Sequence, residues 1–273
     1  MADRKLRQTL FYLTATLLAL FCLVPFFWMI STSLKTKGAL ISIPIQWIPQ
    51  TVSVESYRKI FTFFEFDRVL LNSAFVSVGI TLITLTSALM AAYVFAKIAF
   101  RGREIVFGLF LATMMVPGQV TIIPIFIVLK ELHLLDTFTG LMLPSIFNAF
   151  AVFMLRQYIK TIHDDYLDAA FIDGATQATV FVRIIVPLSV PIIATLGIIT
   201  FMGAWNDYFW PLVVLSDKAK MTLPLALSSL NGQYGSEYNT LMAGSLISMA
   251  PIIALYFFAQ RWFQSGLQLG GIK

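Results

Sequence analysis

The sequence predicts an all-α integral membrane protein with six transmembrane helices and both termini in the cytoplasm. Three observations predict it. Of the 273 residues, 58% are hydrophobic and 12% charged, about half the charge of a soluble domain. Mean hydropathy is +0.82, and the 25 Phe exceed what a single core of this size would hide, so lipid is the natural solvent. Lastly, the charges lie between long uncharged windows, which is where the loops of a membrane protein hold them. A soluble enzyme is excluded by this composition.

Six charge-free windows reach the roughly 20 residues that a crossing needs: Leu10–Ile30, Val69–Ala96, Ile105–Leu129, Thr137–Leu155, Ile184–Asn206 and Tyr238–Gln260. The second and third are longer than a perpendicular crossing, so they are expected to tilt or to extend beyond the bilayer. The first follows Arg4, Lys5 and Arg7 but exceeds a signal-peptide core. It continues into Ser31–Lys35 without a small-residue cleavage site, so it reads as a retained anchor. The organisation is thus a cytoplasmic N-terminus over 1–9, a transmembrane domain over 10–262 and a cytoplasmic tail over 263–273.

Counting Lys and Arg on alternate sides gives eleven inside and eight outside when the N-terminus is inside. Five of the eight lie in the long first loop, where the charge rule is weak; without it the count is eleven to three. The net charge of +5 does not mark a nucleic-acid binder, because no basic run with interleaved aromatics occurs. Cys22, the only cysteine, allows no disulfide or thiolate metal site and reads as packing.

Within the windows, Pro25, Pro117, Pro124, Pro144 and Pro251 should bend helices, since each removes a backbone donor. Gly79, Ser87, Ala88, Ala91 and Ala92 permit close helix contact. Polar residues in or near spans are the candidates for lining a solute path: Trp205, Asn206, Tyr208, Asn72, Gln119 and Asn148. Trp210 fits an interfacial aromatic belt as well as a path. Asp207, near the outer end of the fifth window, is the one ionisable residue close to a span, too little for a carrier driven by an ion gradient. His133 and His163 are isolated in loops and read as solvated.

The segment Tyr158–Pro191 is too long and too patterned for a connector. Asp165 can cap a short helix with Asp168 at its third position, Asp173–Gly174 supplies a left-handed stop, and Thr176 can start a second helix running toward Pro187. Ala169, Ala170, Gly174, Ala175 and Ala178 leave the backbone accessible, with Leu167, Phe171 and Phe181 as apolar anchors. Asp164, Asp165, Asp168 and Asp173 suit a basic cleft on a cytoplasmic partner, though composition alone fits them equally well as solvated helix caps.

DAAFIDGATQATVFVRIIVPLSVP (Asp168–Pro191) closely resembles the EAA loop of binding-protein-dependent ATP-binding-cassette (ABC) importers. Asp168, Ala169, Ala170, Asp173, Gly174, Ala175, Phe181, Pro187, Leu188 and Pro191 occupy its pattern positions; Asp168 stands where the pattern has Glu, one methylene shorter. His163 departs similarly, standing where many relatives have Pro. WNDYFWPL (Trp205–Leu212), TLPLAL (Thr222–Leu227) and FAQRWFQSGLQLGGIK (Phe258–Lys273) extend the likeness to the MalG-like permeases of the carbohydrate-uptake branch.

The resemblance implies a permease subunit of the bacterial or archaeal cytoplasmic membrane that imports sugars, first of all di- or oligosaccharides. Its implied partners are a second, MalF-like permease, two ATPase subunits and an extracytoplasmic solute-binding protein. Asp168, Ala169, Ala170, Phe171, Asp173, Gly174 and Ala175 would form the coupling helix on the ATPase, and the tail Gly266–Lys273 would reach toward the ATPase dimer. ATP and Mg would sit on those partners, with no cofactor on this chain. In keeping with that, the sequence has no G-x-x-x-x-G-K-[ST] phosphate loop. Glycerol 3-phosphate or sugar alcohols are the alternative cargo, and a stand-alone secondary transporter is the rival class.

Overall fold

The computed structural model describes residues 2–36, 45–63, 65–230 and 238–268; within these, side chains of 2–4 and 258–268 are not described. Residues 269–273 of the tail therefore lie outside the described residues. Among the described residues the chain is helical with no strand, in the order α1 (Ala2–Ser33), α2 (Glu55–Phe63), α3 (Phe66–Lys97), α4 (Arg103–Ala112) and α5 (Gly118–Glu131). There follow α6 (Phe138–Met142), α7 (Ala149–Lys160), α8 (Asp165–Ile172), α9 (Gln177–Val180), α10 (Val186–Leu188) and α11 (Val190–Trp205). The last three are α12 (Phe209–Val214), α13 (Leu223–Ser229) and α14 (Tyr238–Gln268).

Each of the six apolar windows lies on helix, but only three are unbroken. Lys5–Ser33, Phe66–Lys97 and Tyr238–Phe257 are each long and apolar enough to cross a membrane. The other three are bent pairs: Arg103–Met115 with Gly118–Glu131 at 101°, Phe138–Ile146 with Ala149–Lys160 at 43°, and Gln177–Leu188 with Val190–Trp205 at 74°.

Sequence chemistry accounts for the breaks. Pro117 disfavours a helical conformation at Val116, which is extended at φ −84°, ψ 116°. Pro144 enters a 3₁₀ turn over Leu143–Ile146, after which Asn148 restarts the helix by accepting a hydrogen bond from Ala151 N at 2.9 Å. Pro187 and Pro191 flank the third break at Ser189, and a π-helical stretch, Phe181–Ile185, precedes it. Pro25, Pro124 and Pro251, also expected to bend their helices, stay inside continuous ones.

The chain divides into two units. In the one formed by Met1–Asp67 and Ala226–Ala250, the end of α1 is fastened by Lys35, which is 2% exposed. Its Nζ donates to the Gln46 carbonyl at 2.5 Å and lies 4.2 Å from the Trp28 ring centroid. Burial lowers the Lys35 pKa. Asn239 donates to the Lys35 carbonyl, and Ser33 bonds Tyr57 at 2.9 Å. The most apolar stretch of α1 buries no residue within the chain, and only Ser31–Ser33 at its end are buried. Cys22 is accordingly exposed, contrary to the packing role its apolar setting suggests.

In the unit formed by Arg68–Leu225 and Pro251–Lys273, α3 is central to two cores. Its second half packs with α7, α8 and α11 around Ala88, Ala92, Leu155, Val180 and Leu196. Its first half packs with α5, α6 and α12 around Val76, Leu129, Leu141 and Val214. The small residues act as expected: Ala88 and Ala92 are 1% and 0% exposed, and a Cβ on Gly79 would press into Met142.

Gly140 is more restrictive still, because a Cβ there would overlap the backbone carbonyl of Leu134. That carbonyl is fixed by Thr137 Oγ1, which donates to it at 2.7 Å while accepting from Gly140 N at 3.0 Å. Gly140→Ala should therefore destabilise the protein by about 2–3 kcal/mol, read as a lowered thermal midpoint in detergent. An unchanged midpoint would show that this turn yields freely.

Candidate functional site

The patterned segment folds as helix, turn, helix. Gly174 has φ 82°, and the turn closes with Gly174 N donating to Phe171 O at 3.0 Å and Ala175 N to Ala170 O at 2.9 Å. Thr176 caps α9 by accepting from Thr179 N at 3.2 Å. Both were legible in sequence. The start of α8 differs: Asp164, not Asp165, occupies the N-cap, and it makes no side-chain cap bond. Its carboxylate is taken by Lys97 Nζ at 2.6 Å, so the Asp165–Asp168 capping box does not form. Lys97 also holds the Asp164 carboxyl below its usual pKa.

The anchors also divide differently. Leu167 is 5% exposed, and Phe181 lies 5.3 Å from the Tyr93 ring, so both hold the segment to its own chain rather than offering a surface. Tyr93 OH further donates to Gln177 Oε1 at 2.5 Å, and Lys97 Nζ to Ile162 O. The final turn of α3 thus clamps both ends of the unit. What remains outward is Ile172, 86% exposed, with Tyr166 and Phe171. Beside them Asp165, Asp168, Ala169, Asp173 and Gly174 are exposed, while Ala170 and Ala175 are half-buried. The three acids form no ion pair among the described residues.

Close to this unit, the Arg156 guanidinium is buried at 3% exposure. It donates to the Phe95 carbonyl at 3.0 Å, pairs with Glu104 at 2.5 Å and covers the Phe107 ring at 3.8 Å. One side chain thereby ties α3, α4 and α7 together.

A cavity of about 460 Å³ lies between the broken helices, its wall including Thr84, Ser145, Asn148, Thr200, Asp207 and Trp210. Of the six residues proposed from sequence for a path, Asn148 is on this wall. Gln119 is exposed, next to the wall residue Gly118. Trp205 is buried at 3% and stacked on Phe201. The Asn206 amide donates back to Met202 O, and Tyr208 is 40% exposed. Asn72 donates to the carbonyls of Ala219 and Met221 at 2.9 and 3.1 Å. Thr84 and Thr200 carried a usable signal, as hydroxyls in the middle of apolar windows, but threonines in helices so often bond their own backbone that composition does not separate them.

The Ala219–Met221 turn is also bound by Asp136, itself at φ 57°. Asp136 accepts from Ser216 N and Asp217 N, both at 3.0 Å, and from Lys220 Nζ at 2.8 Å. The Lys220 hydrogen bond, followed by the two amides, holds the Asp136 carboxyl down at about 2. Asn72 and Lys97 stand 25 residues apart on α3, about 37 Å at the helical rise. One rigid helix therefore joins this polar turn, the cavity wall at Thr84 and the α8–α9 unit.

Among the described residues no group of His, Cys, Asp and Glu is arranged to hold a metal. His133 and His163 are exposed.

Residues 83–268 match the family described as binding-protein-dependent transport system inner membrane component. The arabinooligosaccharides transport system permease protein AraQ of Bacillus subtilis is 37% identical, over 98% of this chain and 96% of that one. The sn-glycerol-3-phosphate transport system permease protein UgpE of Pectobacterium atrosepticum is 35% identical over 74% and 73%. A crystal structure of a bacterial ABC transporter involved in alginate import superposes with a TM-score of 0.82 over 96% of this chain and 98% of that one, at 23% identity, so the two share the fold. This chain belongs to the binding-protein-dependent inner membrane components, the membrane-embedded permeases of ABC importers.

Proposed function

We propose that this permease imports sugars, first of all di- or oligosaccharides, handed to it by an extracytoplasmic binding protein. The sugar reading is supported by the AraQ relative. The UgpE relative favours glycerol 3-phosphate as the second reading. Each bent pair would be one crossing, giving six, and the Lys/Arg asymmetry puts both termini and the α8–α9 unit in the cytoplasm. A second permease completes the pathway. Two ATPase subunits bind ATP and Mg, since the sequence has no phosphate loop.

The observation that carries the coupling role is the outward face of α8. Unpaired acids, exposed apolar side chains and an open Gly174 stand on a unit clamped to α3 by Tyr93 and Lys97. A contact strong enough to transmit force needs such a rigid mount, with Asp168, Ala169, Ala170, Phe171, Asp173, Gly174 and Ala175 against the ATPase. Closure of the ATPases on ATP would then swing α3 and the cavity toward the binding protein, and hydrolysis would reset it.

Two measurements test this reading. Asp168→Ala should weaken assembly with the ATPase subunits by about tenfold, as loss of an interfacial charge contact does. Undiminished affinity and uptake would leave the acid a surface residue. A ligand screen on the cognate binding protein should return a sugar, and a phosphate ester would establish the second reading.

A further inference from the structure

Among the described residues Asp207 is the one ionisable residue on the cavity wall, which there has no Lys, Arg or His. Its carboxylate is held in place: Oδ1 accepts from Phe209 N at 3.0 Å and Trp210 N at 3.2 Å. Oδ2 accepts no hydrogen bond among the described residues. Trp210 is fixed too, its Nε1 donating to Leu141 O at 3.2 Å, so what it offers the cavity is ring carbon. Asn148 uses its Oδ1 on Ala151 N, which leaves the amide Nδ2 as a donor. Ser145 and Thr84 are joined where Thr84 Oγ1 donates to Ser145 O.

We infer that this cavity is a subsite for uncharged, hydroxyl-rich solutes, and that Asp207 excludes anionic ones such as phosphate esters and uronates. The inference rests on the import reading above. Its volume of about 460 Å³ falls within the 300–1,000 Å³ typical of small-molecule sites. A free carboxylate oxygen accepts from a sugar hydroxyl, an aromatic face packs on the ring's C–H surface, and a primary amide donates to ring or hydroxyl oxygens. An anion entering the same space meets a like charge across a medium of reduced dielectric, with no cation on the wall to offset it. Of the two cargo readings, this selects the sugar over glycerol 3-phosphate.

The test uses the assembled transporter with Cys22→Ala to remove the native thiol and Thr200→Cys, or Ser145→Cys as a second reporter, on the wall. Modification rates are measured with a cationic trimethylammonium-ethyl and an anionic sulfonatoethyl methanethiosulfonate of similar size, each divided by its rate with free 2-mercaptoethanol. The normalised cation-to-anion ratio should be about ten or more, and Asp207→Asn should bring it most of the way to one. A ratio near one, or one that Asp207→Asn leaves unchanged, overturns the charge selection. A second arm measures uptake of the neutral sugar after labelling, where block by either reagent places the cavity on the solute path. Full labelling with unchanged uptake, or no labelling at either position, removes the cavity from the path and overturns the subsite, whatever the ratio.

Discussion

Gly174→Trp is expected to cut sugar uptake by about tenfold or more while the protein remains in the membrane, and to leave ATPase activity unresponsive to the binding protein. Two effects contribute and can be separated. Gly174 adopts φ 82°, so any side chain there carries left-handed strain of about 1–2 kcal/mol. A Cβ, however, would meet nothing within 4 Å in this chain. Gly174→Ala therefore bears the strain with little bulk and should keep most of the uptake, whereas the indole projects into the space assigned to the ATPase. Equal losses in the two variants would mean that the turn matters for folding rather than for contact. Full activity in the Trp variant would remove α8 from the interface.

Arg156→Ala should produce the largest loss of stability, about 3 kcal/mol, because it empties a buried site, deprives the Phe95 carbonyl of its donor and uncovers the Phe107 ring at once. Arg156→Lys should not restore it. An ammonium is a compact point charge and lacks the planar fork that meets a carbonyl, a carboxylate and a ring together. Glu104→Gln should be far milder, since that carboxylate is 61% exposed while the arginine side chain is 4% exposed. Thermal midpoints in detergent check the order; an arginine variant as mild as the glutamate one would show that α3, α4 and α7 are held by apolar packing alone.

Arg156 also marks where sequence reading stops. Counted among the cytoplasmic charges, it stands just past the end of a window, but nothing local tells that it turns inward, since its partners lie 52 and 61 residues away. The windows themselves were legible because lipid excludes charge from long stretches. Pro117 and Pro144 gave the positions of two breaks, whereas the angles follow from packing. Gly174 and Thr176 were legible because a left-handed stop and a hydroxyl cap are local chemistry. The Asp165 cap failed because Lys97, far along the chain, engages the neighbouring Asp164. Asn72 shows the same limit, as its amide is used 147 and 149 residues away, while the cavity wall at Thr84, Thr200 and Asp207 is assembled from separate helices that no spacing rule connects.

The central claim is that this chain moves solute only when driven through partner subunits. Reconstitution in liposomes tests it most directly, with the permease alone, under an imposed proton or sodium gradient, compared with the full assembly of both permeases, ATPase subunits, binding protein and ATP. Sugar accumulation is predicted in the full assembly and absent with the permease alone. Gradient-driven accumulation by the permease alone would contradict the account.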